Sequence, residues 1–92
     1  MTNVSEVQNE DSNRAGNDID PGETITVFKG ASARTFKIEL RGTVTGAEIV
    51  VTIDGAQGAV MSQNNRIVFA DGTDIRLSNR GNRTQLVVFA PV

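Results

Sequence analysis

From Thr35 to Arg41 the chain reads TFKIELR, and Phe36, Ile38 and Leu40 alternate without a break with Thr35, Lys37, Glu39 and Arg41. Successive side chains of an extended strand point to opposite faces, so this spacing puts the apolar groups on one side and the polar groups on the other, as in a half-buried β-strand. Such a strand needs paired neighbours, and the chain offers them. EIVVTID, Glu48 to Asp54, sends Ile49, Val51 and Ile53 to one face, and TITVFK, Thr24 to Lys29, does the same with Ile25 and Val27. Phe28 breaks that last alternation, which predicts a bulge or a two-sided environment there. No segment carries helical spacing.

Turn signals follow at the intervals of a small all-β domain. Gly55 and Gly58 bracket Ala56 and Gln57, Asn64 and Asn65 separate Ala59 to Gln63 from Arg66 to Ala70, and NRGN at Asn79 to Asn82 precedes RTQLVVFA. Asp71 and Gly72, between RIVFA and TDIRLS, predict a type I′ hairpin, because both central residues of that turn need positive φ. The hairpin would face Ile67 and Phe69 against Ile75 and Leu77, and place all four phenylalanines, Phe28, Phe36, Phe69 and Phe89, in the core. Leu86 to Phe89 is apolar on both faces, as in a central or covered strand. The expected architecture is all-β: about seven short strands in a small antiparallel two-sheet sandwich. One sheet with a wet face would leave Phe28, Val87 and Phe89 exposed. Pro91 suits a strand end or an edge.

The first 22 residues read differently. Beyond Met1 their sizeable apolar side chains are Val4, Val7 and Ile19, and five acids (Glu6, Glu10, Asp11, Asp18, Asp20) face one base (Arg14), a charge of minus four. From Glu23 onward eight bases face six acids, a charge of plus two. Asp20, Pro21 and Gly22 suit an extended residue followed by a type II turn. The expected organisation is an extended acidic N-terminal arm over residues 1–22 and a β-sandwich domain over 23–92. An arm too polar to condense alone becomes ordered along a neighbour, with Val4, Val7 and Ile19 as anchors and Asp18 and Asp20 choosing a basic track.

The chemistry this composition excludes is informative. The chain has no His and no Cys, so the usual nucleophile and base pairings and any thiolate zinc site are missing, and the acids alternate with apolar residues as on solvated faces. The expectation is a protein that is not an enzyme and takes no cofactor. Laid on a calcium loop, Asp11, Asn13 and Gly16 match, but Ala15 stands at a ligand position and Gly22 where a bidentate Glu belongs, so no metal is expected. No stretch approaches the roughly 20 apolar residues that cross a bilayer, and the N-terminus lacks the pattern of a secretory signal. The Asn-X-Ser/Thr triplets at Asn3 and Asn82 therefore read as chance. Trp and Tyr are absent and the Arg residues are scattered, so neither nucleic acid nor membrane is an expected partner.

The stretch Glu23 to Asp54 resembles the small immunoglobulin-like β-sandwich modules of tailed-phage virions. The matching residues are Phe36, Ile38 and Leu40, then Thr45, Gly46 and Ala47, then Ile49, Val51 and Ile53. Val44 stands where those modules carry Asp and Leu before the triplet, and the connecting loop is shorter. The resemblance implies a structural part of a particle with no catalytic residues. Joined to the small size and the acidic arm, it leads to the expectation of a bacteriophage capsid decoration (cement) protein in the virion, assembled in the host cytoplasm. It would bind the major capsid protein or other virion subunits as a homo-oligomer, a trimer among the options. The alternatives are a tail or baseplate β module, a phage-encoded inhibitor or adaptor acting on a host complex, and a module of a bacterial surface adhesin.

Overall fold

The computed structural model describes residues 17–42 and 45–92. Six strands, β1 (Asn17–Ile19), β2 (Thr24–Arg41), β3 (Ile49–Ile53), β4 (Ala56–Met61), β5 (Ile67–Asn79) and β6 (Gln85–Pro91), form one antiparallel sheet in the order β1-β6-β2-β5-β3-β4. Two of them are long. A straight strand of 18 residues, the length of β2, would run about 59 Å, well beyond the molecule's longest dimension of 38 Å.

The long strands bend together instead. Lys29 pairs with Asp74 and Arg34 with Gly72, so residues 30–33 of β2 stand against Thr73 alone. Across this break the rings of Phe28 and Phe36 lie 5.4 Å apart, where a straight strand would separate those residues by about 26 Å. Before the bend, β2 pairs with the second half of β5, which carries β3 and β4. After it, β2 runs between the first half of β5 and β6, with β1 outside β6. The bend turns the two apolar faces toward each other. Phe36, Ile38, Leu40, Ala70, Val87 and Phe89 from one half join Val27, Phe28, Ile49, Val51, Met61, Ile75 and Leu77 from the other in a single core.

The two sheets of about seven strands expected from the sequence are thus one sheet of six, because two pairs of expected strands are each one continuous strand and β1 is added. Residues 24–29 and 35–41 are halves of β2, and RIVFA and TDIRLS are halves of β5. Asp71 stays in register opposite Thr35, whose Oγ1 donates to its Oδ1 at 2.7 Å, and Gly72 keeps a negative φ. Glycine serves there for close approach: a Cβ on Gly72 would lie 2.6 Å from Ile53 Cγ2. The tight turn with positive φ forms at the other Asp–Gly pair, Asp54 (φ 51°) and Gly55 (φ 86°), between the paired residues Ile53 and Ala56. The irregularity expected at Phe28 is present. Thr26 faces Arg76 and Phe28 faces Ile75, so Val27 is the extra residue and both Val27 and Phe28 are buried.

The turn aspartate also fastens the bend. Asp54 Oδ1 accepts hydrogen bonds from Thr73 Oγ1 (2.7 Å), Asp74 N (2.9 Å) and Thr73 N (3.0 Å). These bonds, chiefly the Thr73 hydroxyl's, hold its carboxyl below the ordinary carboxylate value. At the opposite end of the folded sheet sits Asn79, 1% exposed. Its Nδ2 donates to Ile19 O (2.8 Å) and Arg83 O (2.7 Å), and its Oδ1 accepts from Gly81 N (2.8 Å). One side chain therefore joins β1, the end of β5 and the approach to β6. Gln85, also buried, donates from Nε2 to Arg41 O at 2.9 Å and ties β6 to the end of β2.

Two outcomes follow from these fastenings. Asn79→Ala strands buried carbonyl and amide groups and should cost about 2–4 kcal/mol in urea unfolding. Asp54→Ala should lower the unfolding midpoint at neutral pH. Because the folded carboxyl titrates below the unfolded one, its contribution is complete above pH about 4 and lost as pH falls through the lowered value. The midpoints of wild type and variant should then converge on acidification.

Candidate partner-binding surface

The face of β6, β2 and β5 that points away from the core follows from the register. Lys37 has Ala90 on one side and Phe69 on the other, Glu39 has Val88 and Ile67, and Arg41 has Leu86. Directly opposed residues of antiparallel strands share a face, so these side chains form rows across the sheet. The result is a charged central strand, Lys37, Glu39 and Arg41, between two apolar borders. Phe69 is 60% exposed and Ile67 47%, the two most exposed large apolar side chains inside the sheet. An open groove of about 220 Å³ runs over Lys37, Glu39, Arg41, Val88, Phe89 and Ala90. Exposed apolar groups beside charges of both signs suit a protein surface with its own apolar spots and ion-pair partners.

The residues expected to bind a partner do not gather at one place. Val4 and Val7 lie outside the described residues. Asp18 is exposed on β1, opposite Leu86, at the border of the outer face. Asp20 is engaged locally: its Oδ1 accepts from Thr84 Oγ1 at 2.7 Å, and its N donates to Glu23 Oε1 at 2.9 Å. Ile19 is fully buried in the chain's own core, opposite Gln85. It is therefore spent on this fold, and its expected place as an anchor on a neighbour needs correcting. Burying one isoleucine stabilises by roughly 1.5–3 kcal/mol, which favours keeping β1 on β6. The sheet starts at Asn17, six residues before the expected boundary at residue 23, and only residues 1–16 of the expected arm lie outside the described part.

The other correction is Phe69, expected in the core and found on the surface. Val68 and Ala70, the smaller members of the run, take the inward positions opposite Ile38 and Phe36. The run RIVFA is apolar on both faces, and a hairpin at Asp71 and Gly72 would send its larger side chains inward. Because β5 continues through that pair, they point out. The two-sided apolarity of the run is the signal in the sequence that marks this face.

The described residues hold no group of three or more Asp or Glu placed to bind a metal ion. Among the described residues the two displaced titrations have structural causes: Asp54 serves the bend, and the Asp74 carboxylate hydrogen-bonded to Arg76 at 2.9 Å raises that guanidinium's value. Among the described residues no helix is long and apolar enough to cross a membrane. Comparison with protein-family models, characterised proteins and solved structures finds no match to this chain.

The contrast between the two phenylalanines is measurable. Phe36→Ala should cost about 3–5 kcal/mol, whereas Phe69→Ser should change stability by under about 1 kcal/mol, both read by chemical denaturation.

Proposed function

We propose that this protein is a non-enzymatic structural subunit of a bacteriophage virion, a capsid decoration protein that docks on the shell through the outer face of β6, β2 and β5. The observation that carries a binding function is that face itself. The domain exposes Ile67 and Phe69 on β5, along one side of a strand bearing Lys37, Glu39 and Arg41, with Val88 and Ala90 of β6 along the other. The particle as partner rests on the resemblance of residues 23–54 to virion β-sandwich modules. In support of it, Phe36, Ile38 and Leu40 share one core with Ile49 and Val51. In this reading the bent sheet serves as the sandwich of those modules, its two halves acting as the two layers.

Residues 1–16 add a second contact. They carry Glu6, Glu10 and Asp11 against Arg14, too polar to form a core of their own, and they precede β1 in the chain. A short tether of this kind acts at high local concentration once the face has docked, and several copies on a symmetric shell reinforce one another.

The test is co-sedimentation of the purified protein with capsids of the phage that encodes it. Wild type should saturate a fixed number of sites. Charge reversal on the face, Lys37→Glu with Arg41→Glu, should weaken binding by about 30-fold or more at unchanged unfolding midpoint. Deletion of residues 1–16, which leaves β1 intact, should weaken it by a smaller factor. Absence of capsid binding, or binding indifferent to the face variants, would refute the proposal. Capture of a tail or host complex through the same face would move the function to the corresponding alternative.

A further inference from the structure

Among the described residues the folded sheet has five stretches of open strand edge, along β1, residues 88–91 of β6, β4, the first half of β2 and the first half of β5, and the first four are guarded. β1 is three residues long with Asp18 exposed on it, and the part of β6 that β1 leaves uncovered ends on Pro91, which has no N–H to donate. β4 is interrupted where Val51 faces Ala59 but Thr52 faces Gln57, leaving Gly58 as an extra residue. The first half of β2 carries the bulge at Val27 and ends on Lys29. Short length, bulges and lysines are the devices by which edges avoid pairing with other chains.

The fifth, the first half of β5, has none of these. Ile67, Val68, Phe69 and Ala70 are consecutive and apolar, and their register with β2 runs unbroken from Ile67 to Gly72. β3 pairs with β5 only from Ile75 to Asn79, so among the described residues nothing pairs with the far side of 67–71. The orientation of its backbone follows from one bond. Leu40 N donates to Arg66 O at 2.9 Å, so the main-chain groups of Arg66, Val68 and Ala70 face β2. Those of Ile67, Phe69 and Asp71 face the open edge.

We infer that this edge pairs with the same edge of a second copy, antiparallel about a two-fold axis perpendicular to the sheet and midway between Val68 and Val68 of the second copy. That axis keeps the outer faces of both copies on one side. It sets Ile67 opposite Phe69 of the second copy, and Phe69 opposite Ile67 of the second copy, each as a hydrogen-bonded pair. An aromatic residue opposite a β-branched one is a favourable cross-strand combination. Moving the axis to Phe69 would instead put Ile67 opposite the carboxylate of Asp71 in the second copy, which selects the Val68 register. Both side chains then pack laterally against their cross-strand neighbours in the same contact that satisfies the open backbone, and an isologous interface closes at two copies. The two outer faces become one surface with strand order β1-β6-β2-β5-β5-β2-β6-β1. The paired edge does not depend on the particle reading.

The test uses the purified full chain without capsids. Sedimentation equilibrium should show a concentration-dependent species of twice the 9.8 kDa protomer mass. Phe69→Lys should raise the dimer dissociation constant by about 30-fold or more with the fold intact by circular dichroism. Val88→Lys, on the same outer face but away from the edge, should leave dimerisation unchanged. In a mixed sample of labelled and unlabelled chains, isotope-filtered spectra should show contacts from Ile67 of one copy to Phe69 of the other. A monomer at every accessible concentration would overturn the inference. So would a dimer broken by Val88→Lys and indifferent to Phe69→Lys, which would mean face-to-face stacking. Either result leaves capsid co-sedimentation to be judged separately.

Discussion

Everything in this molecule depends on the place where β2 and β5 bend together. A single sheet of this length has no second layer to cover it. By yielding at residues 30–33 against Thr73, the two long strands carry the sheet back over itself and let it bury its own apolar face. The bend is held from inside by the Phe28 and Phe36 rings and from outside by the Asp54 carboxylate, which gathers three donors from Thr73 and Asp74. The remote end is closed by Asn79, whose amide is buried only because every polar atom on it has a partner. A chain without Cys has no covalent staple, so these polar fastenings take that place.

Alternation in TFKIELR and EIVVTID is enough to read the all-β class and much of the core: Phe36, Ile38, Leu40, Ile49 and Val51 are all buried. Phe28 announces its bulge by breaking the pattern. The topology is less legible because two Asp–Gly pairs compete for one kind of turn. Asp54 with Gly55 adopts the positive φ values, while Gly72 is glycine because Ile53 presses against it. Local sequence does not distinguish a glycine needed for its φ from one needed for its missing side chain. Taking Asp71 and Gly72 for a turn splits one strand into two and sends Phe69 inward. Ile19 escapes for a related reason: its neighbours are polar, and only the long-range pairing with Gln85 shows that it belongs to the core.

The candidate binding surface is a consequence of the same geometry. Once Val68 and Ala70 fill the space opposite Ile38 and Phe36, the bulkier Ile67 and Phe69 have only the outside left. Both lie along one side of a strand whose outward positions alternate in charge, and on an edge that no described residue pairs with. Surface and edge together make the region of residues 67–71, among the described residues, the part best suited to meet another chain.

The most direct measurement is a nuclear Overhauser spectrum of the isolated protein in solution, read at the ring protons of Phe28 and Phe36. The bent sheet predicts a strong cross-peak between these rings, together with the cross-strand contacts of Thr26 to Arg76 and Ile38 to Val68. Intact cross-strand contacts without any Phe28 to Phe36 peak would mean that the two halves of the sheet do not close over one core, which would contradict the bend on which the fold, the outer face and the open edge all depend.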